Sequence, residues 1–140
     1  MTAFSKAGSP LGPIVHGMRV AATILYVPDV AAALAFYERA FGLGAGFAAP
    51  DGSYATLGGH GAVLAFAQTA MAPDAEGAAG PPAGFEVWIE AEDVPAALAR
   101  AVASGAEPVQ EPVVKPWGQT VAYVRDPNGT LIELGSPVAG

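Results

Sequence analysis

The chain contains no cysteine. Disulfides, thiolate nucleophiles and thiolate metal sites are excluded together. Positive charge is scarce: six Lys and Arg stand against thirteen Asp and Glu, for a net charge of −7. Nucleic-acid binding normally leaves a basic face, and six scattered cations do not supply one. The same sign disfavours anionic membrane surfaces. Long hydrophobic runs are also missing. The longest, Val20–Val27, stops at Pro28-Asp29, well short of the roughly 20 apolar residues a membrane helix needs. The opening segment MTAFSKAGSPLGPIVHG has one Lys and no continuous apolar stretch. It reads as a loose Gly/Pro-rich arm over residues 1–18 rather than a signal peptide, and the expected compartment is cytoplasmic. No Ser/His/Asp spacing stands out. The glycine clusters Gly42–Gly46 and Gly58–Gly61 lack the Lys-Ser/Thr of a phosphate-binding loop.

What is present is apolar and repetitive. At 140 residues, 52% hydrophobic and 14% charged, the chain has the length and composition of one folded domain with a real core. Residues 23–44 read TILYVPDVAAALAFYERAFGLG, and residues 87–108 read VWIEAEDVPAALARAVASGAEP. Each is an apolar run, an Asp-Val pair, an Ala/Leu-rich amphipathic stretch and a glycine stop. Asp29 and Asp93 mark the same place in each copy. An internal repeat predicts a pseudo-symmetric protein with a site where the copies meet.

The elements follow from local chemistry. Arg19–Val27 is strand-like, being β-branched and aromatic. Asp29 suits a helix N-cap, and Leu34, Tyr37 and Phe41 line one face of a helix that Gly42 stops. Strands are expected near 45–49, 54–57 and 62–67, and an aperiodic linker over 68–83. The second copy supplies a strand over 85–91, a helix over 94–104 with Pro95 harmless in its first turn, and strands near 107–110, 119–125 and 130–134. Asp126-Pro127-Asn128-Gly129 is a strong turn. The plan is βαβββ twice: an α+β chain with modules at 19–67 and 84–137.

At YVPDV (26–30), FYERAFGLG (36–44), EDVPAALARAVASGAEP (92–108) and WGQTVAYVRDPNGTLIEL (117–134), the chain resembles the vicinal oxygen chelate superfamily. That group includes glyoxalase I, bleomycin-resistance and fosfomycin-resistance proteins and extradiol dioxygenases. The last motif is the most specific: a strand, a DPNG turn and a strand ending in a carboxylate. The resemblance implies two βαβββ modules whose mixed sheets curve into a cup. It also implies a homodimer, since many members complete the cup by exchanging modules between chains.

In metal-using relatives each module offers two ligand positions, one on its first strand and one on its last. Here those positions hold Ala22 and Ala65 in the first module, and Glu86 and Glu133 in the second. Alanine ligates nothing. His16 and His60 do not fall at ligand positions. Transition metals take three or four protein ligands, so no metal is expected, although Mg²⁺ or Mn²⁺ can sit on two carboxylates with waters.

Strand alternation sorts the remaining candidates. Phe85, Val87 and Ile89 form one face, toward the helix; Glu86, Trp88 and Glu90 form the other, toward the cup. Two carboxylates in a partly desolvated cavity raise at least one pKa, giving a general base or an anchor for a cation. Tyr26 shares a cup face with Ile24 and Ala22. Trp117 borders the mouth, and Tyr123 points inward. The expected pocket is therefore Glu86, Trp88, Glu133, Trp117, Tyr123 and Tyr26. The function expected first is binding of a small cationic or aromatic molecule in a metal-free cup. The alternative is a divalent-metal-dependent lyase or isomerase of the glyoxalase type using Glu86 and Glu133.

Overall fold

A computed structural model describes residues 17–59 and 61–138. His16, His60 and residues 1–16 of the arm lie outside the described residues. The first module runs β1 (Thr23–Val27), α1 (Val30–Phe41), β2 (Ala45–Ala48), β3 (Tyr54–Leu57) and β4 (Leu64–Gln68). A 3-10 turn (Thr69–Met71) and a short helix α2 (Ala75–Ala78) follow. The second module runs β5 (Val87–Glu90), α3 (Val94–Ala103), β6 (Glu107–Val114), β7 (Thr120–Arg125) and β8 (Leu131–Gly135).

Each module forms one four-stranded mixed sheet, in the orders β1-β4-β3-β2 and β5-β8-β7-β6. In both, the first strand lies parallel to the last and the other pairs are antiparallel. Two sheets with one strand order are what a duplicated βαβββ unit must give. The two sheets are not hydrogen-bonded to each other among the described residues.

The caps explain the helix limits. Asp29 Oδ1 accepts from the Ala32 N–H at 3.0 Å, and Asp93 Oδ1 accepts from the Ala96 N–H at 3.1 Å, each satisfying a free donor of the first turn. Gly42 ends α1 at φ 72°, a left-handed conformation that only glycine adopts without cost.

The buried side of α1 is Val30, Ala33, Phe36, Tyr37 and Ala40, so the stripe is rotated from the expected Leu34, Tyr37 and Phe41, of which Leu34 and Phe41 are only partly covered. The reason is packing: α1 lies against α3 as well as its own sheet, and alanines let two helices approach closely. One core joins both modules, from Leu25, Val27 and Phe66 to Leu98, Val124, Ile132 and Leu134. The Tyr37 ring lies 5.0 Å from that of Phe66. Its hydroxyl donates to Asp126 Oδ2 at 2.7 Å, joining the modules through a fully buried pair. Asp126 Oδ1 accepts in turn from the N–H groups of Asn128 and Thr130. Arg100 Nε adds a seam contact to the Arg39 carbonyl at 2.8 Å.

Several strand limits differ from expectation. β1 begins at Thr23 rather than Arg19, and β5 begins at Val87. Phe85 therefore lies outside the strand and is 42% exposed, while Val87 and Ile89 do pack on the core. β6 extends to Val114, past Pro108 and Pro112, because register shifts around Gln110 accommodate the prolines on an edge strand. The linker is partly ordered: Asp74 Oδ1 caps α2 through the Gly77 N–H.

Candidate functional site

The helix-facing sides of the sheets make the core, so the opposite sides are available for function. On the second sheet the strand register aligns one row of side chains: Trp88 pairs with Glu133, Glu133 with Tyr123, and Tyr123 with Gln110. All four strands thus contribute to one polar and aromatic row. Glu86 stands just before β5 and reaches the same place. The Tyr123 hydroxyl lies 3.1 Å from Glu133 Oε1 and 3.5 Å from Glu86 Oε2. Its single hydrogen can serve one carboxylate fully at a time.

The electrostatics follow from this crowding. A hydrogen bond with Glu133, then burial, then the Glu133 charge hold the Glu86 carboxyl above the ordinary glutamate range; the Tyr123 hydroxyl opposes them. Burial, helped by the hydrogen bond and charge of Glu133, pushes the Tyr123 phenol up to about 12. Tyr123 is therefore a neutral donor at pH 7. The guanidinium of Arg125 donates to the Gly129 carbonyl at 3.0 Å.

Trp88 borders the carboxyl pair, and Trp117 lies by the end of β8. Trp88 is 47% exposed, and its indole N–H donates to the Gly135 carbonyl at 3.2 Å. Trp117 is 62% exposed, and its N–H donates to Gln119 Oε1 at 2.9 Å. The buried Gln119 amide donates in turn to the Ser136 carbonyl at 3.0 Å. Gln119 escaped the sequence reading because a glutamine at the start of a strand carries no local signal. Gln110 escaped because its place in the row depends on the β6 bulge.

Of the expected pocket residues, Glu86, Glu133 and Tyr123 meet directly. Trp88 borders them, and Trp117 is tethered to the end of β8 through Gln119 and Ser136. Tyr26 stands apart from that cluster, on the first sheet. It lines a recess of about 370 Å³ with Ile24, Pro81, Pro82 and Phe85, because the ordered linker runs past β1.

The donor set does not fit a transition metal. Glu86 and Glu133 supply oxygens, but the equivalent places on the first sheet carry Ala22 and the fully buried Ala65. Among the described residues no three His, Asp or Glu side chains gather where they could hold a metal ion. The arrangement offers two carboxyls, a phenol and the exposed π face of Trp88. It can bind a cation, share a proton and stack a planar group.

A family model described as the Glyoxalase/Bleomycin resistance protein/Dioxygenase superfamily matches residues 19–134. A glyoxalase-related enzyme from Fulvimarina pelagi is 25% identical with a TM-score of 0.72, over 85% of this chain and 88% of the other. TioX from Micromonospora sp. ML1 is 26% identical with a TM-score of 0.66, over 82% and 95%. A glyoxalase/bleomycin resistance protein/dioxygenase family enzyme from Burkholderia phytofirmans PsJN shares the fold, with a TM-score of 0.71 at 17% identity over 84% and 96%. None of the curated proteins matches the chain.

Proposed function

The chain belongs to the glyoxalase/bleomycin resistance protein/dioxygenase superfamily, and from that premise we propose that it binds a small planar cation on the concave face of its second module without a metal. The observation that carries this reading is the meeting of Glu86, Tyr123 and Glu133 beside an exposed Trp88. Two carboxyls in contact repel one another when both are charged. A guest's positive charge relieves that repulsion. The net charge of −7 steers cations toward the protein and nucleic acids and anionic membranes away.

The divalent-metal lyase or isomerase reading is weaker, because two carboxylates without a third protein ligand hold a transition metal poorly. The carboxyl pair alone could still move a proton, since a glutamate with a raised pKa is suited to that task.

We further propose that two chains complete the cup. The support is that both non-helical faces stay open within one chain: Ile24, Tyr26 and Phe47 are exposed on the first sheet, and Trp88, Val113 and Trp117 on or beside the second. Apolar surface of this kind is normally covered by a partner. Sedimentation equilibrium at twice the 14.0 kDa chain mass is the expected result; a monomer at all concentrations contradicts it.

Calorimetric titration with 9-aminoacridine, a planar cation at pH 7, and with uncharged acridine tests the ligand class. The cation is expected to bind and acridine to bind weakly. Equal affinities would remove the role given to the carboxyls, and binding of neither would remove the pocket.

A further inference from the structure

Position 135 is a glycine beside Trp88 and Glu133, and its backbone does not require one. Gly135 is the last residue of β8 and is not among the glycines with positive φ. A strand glycine without a backbone reason marks a place that something else must approach closely. The approaching atoms belong to the site. A Cβ built on Gly135 would lie 2.6 Å from Trp88 Nε1, 2.7 Å from Glu133 Oε2 and 2.9 Å from Gln119 Nε2. The space of the missing side chain is occupied by the tips of three side chains from three strands or strand ends. The first module shows the contrast. Glu90 pairs with Gly135 as Tyr26 pairs with Ala67, so the copy without tryptophan or glutamate carries the ordinary Cβ.

We propose that Gly135 is the positioning residue of the second module's face: it leaves the room in which the Trp88 indole lies down across β8, and so presents the ring face beside the carboxyl pair. This rests on reading that face as the ligand pocket, and it narrows the ligand class. Trp88 spends its N–H on the Gly135 carbonyl and Trp117 spends its own on Gln119. Neither indole has a donor left to offer. The site presents π faces and carboxyl oxygens, both of which attract positive charge. The geometry points to a flat, delocalised cation bearing N–H donors, with its ring against Trp88 and its N–H groups toward Glu86 and Glu133.

Gly135→Ala separates the alternatives. The atoms it would strike are the ends of rotatable side chains rather than backbone, so the variant folds with the tips displaced. The chain has only two tryptophans, so an amide-proton correlation spectrum shows two indole signals. Gly135→Ala is expected to move the Trp88 signal and to weaken 9-aminoacridine about three- to tenfold, the usual range for a stacked aromatic contact. Trp88→Phe in the same assay should make the second effect of Gly135→Ala largely disappear, because it acts through the indole. An unmoved Trp88 signal overturns the positioning, whatever binds. A moved signal with unchanged affinity also overturns it. If the wild-type protein binds no planar cation while the Trp88 signal still moves, the ligand reading falls and the placement of the indole by Gly135 stands.

Discussion

The two modules share one scaffold and almost none of their chemistry. The register makes the comparison residue by residue. In the first sheet one row reads Ile24, Ala65 and Thr56; in the second the equivalent row reads Trp88, Glu133 and Tyr123. Beside these rows Ala22 corresponds to Glu86, and Ala67 to Gly135. In the first module the row's one polar side chain serves the backbone: Thr56 Oγ1 accepts from the Phe47 N–H at 2.9 Å. Its counterpart Tyr123 bridges two carboxyls. The fold needs neither the glutamates nor the tryptophan, because the first copy forms the same sheet without them. Groups that a duplicated scaffold can omit are the ones to assign to function.

The largest effect should come from weakening the seam that joins the two modules. Tyr37→Phe leaves a buried Asp126 oxygen without its donor, and an unsatisfied buried acceptor costs about 1–3 kcal/mol. Urea unfolding should lose that amount. A loss below the error of the extrapolation would show that the seam relies on the helix contacts instead.

Next comes the equivalent pair Thr56 and Tyr123. Thr56→Val removes an internal acceptor and should cost about 1 kcal/mol of stability, with no change in cation affinity. Tyr123→Phe should leave stability nearly untouched. It should push the Glu86 pKa further up, because the Tyr123 hydroxyl is the contact that favours the charged form. Carbon-13 titration of the glutamate carboxyls reads that shift directly. Equal effects of the two changes on stability would erase the distinction between a structural and a functional row.

The smallest effect is on the pH dependence of folding. In the folded chain the Glu86 carboxyl is held above the ordinary glutamate value of 4.5. The native state therefore holds the proton more tightly than the unfolded state. Its contribution is fully present below pH 4.5 and is lost as pH rises through the folded pKa. Glu86→Gln should flatten that slope. A steeper slope in the variant would mean that Glu86 is favoured in its charged form instead.

Much of this was legible in the residues. The Asp29 and Asp93 caps, the Gly42 stop and the Asp126 turn depend on neighbours a few positions away, and such local rules survive folding. Alternation through β5 and the residue before it placed Glu86 and Trp88 on one face because strand period is independent of context. The contacts that escaped are those between distant segments. Tyr37 reads as helix core and Asp126 as a turn residue, and only packing brings them together. Gly135 looks like a strand end, and its purpose appears only when Trp88, Glu133 and Gln119 are seen converging on it. Tyr26 has the right phase for the cup, but a linker that orders into α2 sets its neighbours.

Selection of a cation by the carboxyl pair of the second module is tested by titrating 9-aminoacridine into the wild-type protein and into the double variant Glu86→Gln, Glu133→Gln. Glutamine keeps the size and removes the charge. Charge-assisted hydrogen bonds are worth about 1.5–3 kcal/mol each, so the variant should bind at least about tenfold more weakly while acridine, the neutral probe, is unaffected. Undiminished binding of the cation by the double variant would show that the carboxyl charges do not select it.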